Sequence, residues 1–422
     1  MAERDLDVVV FGASGITGRQ VAAHLAARSG QLDARWAAAG RDVEKTRRTL
    51  AEIEVEAPEL IAADVEDQAS LAAMAARTKV VIDAVGPYTL YGEPVIEACI
   101  AGGAHYLDLT GEVPFVRRMI DAAHDRARDA GVKIVNTSGF EALPPDLLVL
   151  LAAETARERW SEELATADLD AVLPTDTNGA KLADMISGGT LQSMAEILDD
   201  PQAALAADPA AFIPDEDLAQ RVRSASPIAI APRFNAQGDV IVPMVPSPLI
   251  NPAVIHRTAS ILAAEEERVF TPFRYREGVA IAGSTASVPL RFAGATMIAG
   301  SQALSKALVT AGPKVRGRAS SFMRKRFPSS GFGPTGERME EWSWSMTVNA
   351  KTVGGHYVRV DLEGDGQPGY LTTGKMLAEA GVLLSEDGST PERSGFLTPA
   401  AAIGTQEIDR FRHAGARIQV SS

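Results

Sequence analysis

DVVVFGASGITGRQV, residues 7–21, decides how this chain folds. The apolar run Val8–Phe11 reads as a buried strand, glycines follow at 12, 15 and 18, and a polar–apolar mixture then continues as a helix. Glycine at such a turn admits a positive φ and lets the backbone approach a pyrophosphate, and the third glycine lets the helix press on the strand. The helix start adds free N–H groups and the positive end of its dipole. A glycine triplet alone is a weak signal. Placed between strand and helix inside a β-α-β unit, it marks a dinucleotide site. Gly12, Ala13, Ser14, Gly15, Ile16, Thr17 and Gly18 are the expected phosphate cradle, against the alternative of a tight turn that binds nothing.

Working outward, strand-like runs recur at Val8–Phe11, Ala34–Ala39, Leu60–Val65, Val80–Val85, His105–Leu109 and Val132–Asn136. Helical stretches such as Val43–Ala57 and Phe115–Ala130 separate them. Alternating β and α signals predict a doubly wound parallel sheet, the Rossmann form of an α/β fold, over residues 1–143. The tip of the second strand selects the nucleotide. A chain that takes NAD usually places an acid there; this one reads Ala38-Ala39-Gly40-Arg41, and a forked, permanently charged guanidinium suits a 2′-phosphate. Lys45, one helical turn on, adds a second cation, while Asp42 could still reach a ribose. NADP(H) is favoured over NAD. Later strand ends complete the pocket: Asp64 beside the adenine, and Val85, Gly86 and Pro87 under the nicotinamide ribose. Asp64 has an alternative role, as cap of the helix that starts near Asp67.

After Pro144-Pro145 the pattern changes. A helix over Asp146–Trp160 leads to a half-buried strand at Ala165–Leu173, and Ser187-Gly188-Gly189 precedes another helix. Residues 199–252 are proline-rich with little periodicity, an irregular covering segment. Strands are expected at Val279–Ala282, Ser287–Phe292, Ser343–Ala350 and Tyr357–Leu362, then helices at Lys375–Leu384 and Thr405–His413. The expected division is a Rossmann domain to 143, a second α/β (α+β) domain for substrate and dimerisation over 144–365, and a carboxyl-terminal segment, 366–422, whose helices and strand return to the first domain.

Composition narrows the function classes. The net charge of −14 argues against nucleic acid as partner. A single cysteine, Cys99, leaves neither an internal disulfide nor a zinc cluster, and six histidines form no recognisable ligand pair, so no metal site is expected. Ser138 is not in a G-x-S-x-G setting, which removes the hydrolase reading. The acidic opening MAERDLD is unlike a signal peptide and no membrane-spanning run occurs, so the expectation is a cytoplasmic protein, at most peripheral to the inner face of the plasma membrane. One asymmetry stands out: residues 278–336 contain no acid but carry Arg291, Lys306, Lys314, Arg316, Arg318, Arg324, Lys325 and Arg326. Its basic end, 314–327, is expected to dock an acidic acyl-carrier domain, to lie on anionic lipid, or to be no more than a solvated face.

The stretches VVVFGASGITG, AAAGRD, VVIDAVGPYTLYGEPVIEACIAGGAHYLDLTGE, VNTSGFEALPPDLLVLL, SGGTLQSM, GYLTTGKMLAEAGVLL and LTPAAAIG together resemble the saccharopine-dehydrogenase-like oxidoreductases, closest to the branch of trans-acting enoyl reductases of actinobacterial polyketide-lipid assembly. The resemblance covers nearly the whole chain and is weakest over 199–336. It implies NADP(H) use and hydride transfer to an enoyl thioester, an acyl substrate carried free or on a carrier domain. A homodimer is left open. The family name does not fix the reaction. An opine-type dehydrogenase acting on a C–N bond, and an NADP-binding protein without turnover, remain as alternatives. For the proton, Tyr88 follows the Val85-Gly86-Pro87 strand end and is one candidate, with packing over the ribose as its other role. Lys375, at an expected helix start where the dipole disfavours a cation, is the other, or an ordinary surface lysine. Glu141, at the last Rossmann strand end, could act as acid, acceptor or hinge anchor.

Overall fold

The computed structural model describes residues 4–32, 34–173, 188–244, 246–281, 288–326 and 339–422. Ser187 and Phe327, singled out from the sequence, lie outside the described residues, as does Ser287.

The first half repeats one unit: β1 (Leu6–Phe11), α1 (Ile16–Ala27), β2 (Trp36–Gly40), α2 (Val43–Ala51), β3 (Leu60–Ala62), α3 (Gln68–Arg77), β4 (Thr78–Asp83), α4 (Tyr88–Gly102), β5 (His105–Asp108), α5 (Val113–Asp129) and β6 (Lys133–Val135). All six residues of β1 are buried, as a strand covered by helices on both faces must be. Each strand pair is parallel, and the order β3–β2–β1–β4–β5–β6 places the change of winding direction between β1 and β4. A ligand cleft belongs there, beyond the carboxyl ends of the strands. Helices α2 and α3 are capped by their own side chains. The carboxylate of Asp42 accepts from the Lys45 amide and that of Asp67 from the Ala69 and Ser70 amides. Helix α1 starts at Gly15 with no side-chain cap and no acid in its first turn.

Helix α6 (Leu143–Trp160) leaves the end of β6 with two prolines in its first turn, where their missing N–H groups cost nothing. It is packed between the first sheet and a second one, and a single apolar core runs from Val8 and Val10 through Leu147 and Leu148 to Met346 and Val348. The second half comprises β7 (Leu164–Val172), α7 (Gly188–Asp199), α8 (Glu216–Ala225), β8 (Arg233–Phe234), β9 (Val240–Val242), α9 (Ser247–Glu265), β10 (Arg274–Ala280), α10 (Val288–Val309), α11 (Pro313–Arg326), β11 (Ser343–Thr352) and β12 (Tyr357–Asp365). After these come α12 (Thr373–Ser385), β13 (Gly395–Leu397), α13 (Pro399–Ile403) and β14 (Arg417–Ser421). The second sheet is mixed, in the order β14–β12–β11–β7–β10–β9–β8, with only β7 and β10 parallel. Along β11, Trp344, Met346, Val348 and Ala350 point inward while their neighbours face out, the alternation of a one-sided sheet.

Three expectations are corrected. The strand expected at Ser287–Phe292 is the first turns of α10 from Val288 on; Pro289 supplies a helix-compatible φ near the start, and the alternation is too short to outweigh the Ala- and Leu-rich run behind it. The covering segment 199–252 holds α8 and the start of α9, and contributes β8 and β9 to the second sheet. The carboxyl-terminal segment divides: β13 extends the first sheet beside β6, whereas β14 pairs with β12 in the second.

A buried ion cluster fastens that return. Glu379 on α12 is fully enclosed and meets His24 at 2.6 Å, Arg28, and Arg410 at 3.2 Å, so α1, α12 and the carboxyl-terminal segment share one carboxylate. Burial opposes its charge, but the histidine and arginines prevail and hold its pKa below the ordinary glutamate value. Glu379→Ala strands buried cations and is expected to cost about 3–5 kcal/mol in urea-unfolding free energy; a loss within about 1 kcal/mol, the range of an exposed pair, would refute the latch.

Candidate functional site

Three backbone contacts shape the turn after β1. Gly12 has φ +84°, and a Cβ on it would fall 2.8 Å from Val85. A Cβ on Gly18 would fall 2.3 Å from the Gly12 carbonyl oxygen, so only hydrogen permits α1 to press this close. The Gly15 amide donates to the Gly12 carbonyl at 2.9 Å and closes the turn.

Above this turn opens a cleft of about 730 Å³. Its floor includes Gly12, Ser14, Gly15, Arg41, Asp64 and Val85-Gly86-Pro87. Its outer wall comes from α7, through Leu191, Gln192 and Glu196, and from α11, through Met323 and Arg324. A cradle without room for side chains, an uncapped helix start and an exposed guanidinium at the β2 tip together fit a phosphorylated dinucleotide. Ala13, Thr17 and Gly18 sit behind the lining as support, and Ile16 packs against Met339, Tyr370 and Leu371. Lys45 is exposed one turn beyond Arg41 and outside the lining; its backbone amide serves the Asp42 cap, which also occupies the Asp42 carboxylate. Asp64 borders the cleft, and Asp67, not Asp64, caps α3.

Beneath the Val85-Gly86-Pro87 side of the cleft lies a buried acid network. Asp83, the last residue of β4, accepts from the Val85 amide at 2.9 Å and from the Tyr106 hydroxyl at 3.1 Å. The same hydroxyl lies 3.0 Å from Asp108 on β5, which also accepts from Asn136 and from the amides of Thr110 and Thr137. Desolvation, with the neighbouring Asp108 charge, drives Asp83 far above a normal aspartate; desolvation takes Asp108 to about 6. One phenol carries one proton, so the Tyr106 hydroxyl can donate to only one of the two carboxyls it faces at a time. Glu112 is fully buried and receives the amides of Tyr88 at 2.9 Å and Thr89 at 2.7 Å, so that an anion from the β5–α5 loop caps α4. Ser193 of α7 donates to the same carboxylate at 2.7 Å, tying the outer wall to the floor.

This network corrects the reading of Tyr88. Its ring is buried, its hydroxyl donates to the Asp83 carbonyl at 2.9 Å, and it does not line the cleft. Desolvation, joined by the charges of Asp108 and Asp83, pushes its pKa well up; buried and committed to that carbonyl, the hydroxyl is not presented to the cleft. Tyr91, one turn along α4, lines the cleft instead. Lys375 is half-buried in the first turn of α12, likewise outside the lining.

Sequence reasoning singled out Glu141 but missed its partners Asn251 and Glu277, which make a second acid group. Glu141, in the turn between β6 and α6, keeps solvent-accessible surface, and desolvation by the surrounding protein raises its pKa. Asn251, on α9, donates to the Glu141 carbonyl at 2.7 Å and to Glu277 of β10 at 2.8 Å. Glu277 is buried, and desolvation pushes it up to about 8. Only α9 could have signalled this pairing, and its Pro252 concealed it as a helix. Among the described residues no group of acids, histidines or cysteines could hold a metal.

Comparison with known proteins gives three findings. The model of the saccharopine dehydrogenase NADP binding domain matches residues 8–135. A trans-acting enoyl reductase of Mycobacterium tuberculosis is 32% identical over 433 residues, 98% of this chain and 97% of its own, and one of Mycobacterium leprae is 30% identical over 99% of this chain and 98% of its own. Among solved structures, apo saccharopine dehydrogenase (L-Glu forming) from Saccharomyces cerevisiae superposes with a TM-score of 0.51 over 99% of this chain and 100% of that one, at 14% identity, a likeness of fold.

The raised acid predicts a pH signature. Glu277 ionises near 8 in the folded protein but at the ordinary value when unfolded, so the native state binds the extra proton between those values and stability falls as pH rises through that window. Glu277→Gln is expected to flatten this decline between about pH 4.5 and 8. An unchanged slope in urea titrations would place the proton elsewhere.

Proposed function

The chain belongs to the saccharopine-dehydrogenase-like oxidoreductases, in the branch of trans-acting enoyl reductases, and from that premise we propose that it reduces the carbon–carbon double bond of an enoyl thioester with NADPH. The carrying observation is the cradle and cleft of the first domain on a chain colinear with those relatives. When bound, NADPH supplies the hydride for the β-carbon. A proton at the α-carbon completes the reduction.

In this reading the amides around Gly12, Ser14 and Gly15 hold the pyrophosphate, and Arg41 pairs with the 2′-phosphate. Asp64 borders the adenosine, and Val85-Gly86-Pro87 supports the nicotinamide ribose. Leu191 and Met323 on the outer wall exclude water from the reacting face. The proton is assigned to Glu141. Of the ionisable groups at the ends of β4, β5 and β6, Asp83, Asp108 and Glu112 are buried in fixed hydrogen bonds, whereas Glu141 keeps accessible surface and a raised pKa. Asn251 fixes the backbone carbonyl of Glu141 and ties it to Glu277. The opine-type alternative would need bare cations for an amino-acid carboxylate, and Arg233 and Arg276 on the second sheet are already paired with Asp170 and Asp168. The thioester arrives on a separate synthase's carrier or as a free acyl substrate, the circumstance that the relatives' name describes as trans-acting.

Three outcomes test this. NADPH oxidation is expected with enoyl thioesters and not with an amino acid plus a keto acid, and the reverse selectivity would replace the proposal with the opine reading. Arg41→Ala is expected to weaken NADPH binding about 10- to 100-fold, the loss of a charged hydrogen-bonded contact, and to leave NADH unchanged. Glu141→Gln is expected to lower kcat about 10²- to 10⁴-fold with the NADPH Kd unaltered; an unchanged kcat would move the proton donor elsewhere.

A further inference from the structure

Helices α10 and α11 each turn one stripe inward and leave another bare. On α10, Ala295 and Ala299 pack on Val240 and Val242 of the second sheet. Leu290, Met297 and Leu304, at seven-residue spacing on the opposite side, are 63%, 78% and 70% exposed. On α11 the inward stripe is Arg316, Ser320 and Arg324, spaced by four. Arg316 bonds the carbonyls of Leu198 and Asp200, Ser320 bonds Asp199, and Arg324 bonds Asp199 and Glu196. The outward stripes hold Val315 and Phe322, and beside them Lys314, Arg318 and Lys325, exposed and without an ion partner among the described residues.

Seven of the fourteen large exposed hydrophobics of the described chain lie on these two helices. Scattered exposed leucines need no explanation, but a concentration of this kind marks an interaction surface. We propose that the outer face of α10 and α11 is a docking surface for an anionic lipid bilayer. Charge complementarity selects this occupant. With no acid anywhere in 278–336, the face offers apolar side chains flanked by lysine and arginine, the pattern of helices that lie in a headgroup layer. A second copy of the chain would set the same cations against each other. A carrier domain would answer the charge locally, yet leave most of a helix ~33 Å long, bare along its length, uncovered.

The inner stripe gives the surface a use. Met323 and Arg324 line the cofactor cleft, so the helix that meets lipid on one side walls the cleft on the other. An acyl chain residing in the membrane would thus be presented within one helix diameter of the cleft. The inference goes beyond the proposed reduction and requires no particular thioester. It corrects one expectation about the basic segment, because Arg316 and Arg324 are spent on α7 and are not offered to any partner.

The test is co-sedimentation of the full chain with vesicles of phosphatidylcholine, alone or mixed equally with phosphatidylglycerol. Binding to the mixed vesicles is expected, with loss at high salt and little uptake by phosphatidylcholine alone. Replacing Lys314, Arg318 and Lys325 by glutamine should weaken partitioning about a hundredfold, at about fivefold per cation. Replacing Leu290, Met297 and Leu304 by glutamate should abolish it. NADPH titration of each variant, expected to match the parent, separates loss of the surface from loss of the fold, and a second apolar set (each residue to serine) serves if the glutamates prevent folding. Absence of binding to mixed vesicles at low salt overturns the proposal. So does a dimer that either set of substitutions dissolves, or an acidic carrier whose binding they remove while vesicle uptake persists.

Discussion

The carbonyl oxygen of Gly12 occupies the space that any side chain at position 18 would need. That one close approach sets the distance between β1 and α1, and with it the direction in which the first amides of α1 point. Everything placed over the cleft takes its position from there. Because Gly15 begins the helix without a side-chain cap, the peptide dipoles stay uncompensated in the protein alone, an arrangement that stabilises only when an anion arrives. Neighbouring α2 and α3 spend an aspartate on the same problem, so the bare start of α1 is a choice made locally by sequence and not a property of the fold.

The floor is held still by groups that do no chemistry. Two aspartates face one tyrosine hydroxyl at the ends of β4 and β5, and burial raises the pKa of both because charging carboxyls without water is costly. Glu112 does the opposite work with its charge. Buried, it is stabilised by two amides at the start of α4 and by Ser193, and so converts the end of one sheet into an anchor for the covering helix. A cofactor-binding floor and its movable-looking cover are thus one hydrogen-bonded unit, and a substitution at position 112 would reach both.

How much of this was legible follows from the range of the interactions involved. The β1 turn, the parallel order and Arg41 at the second strand tip are set by neighbours a few residues apart, and the sequence shows them directly. Tyr88 was misread for a definite reason: sequence places it beside the strand end, but only the folded packing shows that its hydroxyl is taken by the Asp83 carbonyl. Lys45 was drawn in by helical spacing from Arg41, whereas the start of α2 carries it past the cleft. The Glu141–Asn251–Glu277 group joins three segments separated by 110 and 26 residues, and no periodicity links such positions. Tertiary context overrode local pattern again at Val288, where four alternating residues opened a helix.

The charge of the chain is distributed with the same economy as its caps. Acids in excess give the molecule its −14, yet α10 and α11 carry none, and the cations of α11 fall into two populations by angle about its axis. Those facing α7 neutralise Glu196 and Asp199 and satisfy carbonyls at the end of that helix, which is where a cation is favoured. Those facing away have no ion partner among the described residues. Had the basic segment served only to fix α7, residues 316 and 324 would have sufficed, and Lys314, Arg318 and Lys325 could have been any helix former. Their uncompensated charge repels its own kind along the helix at a small cost in stability, and that cost is offset only if something anionic outside the chain meets it.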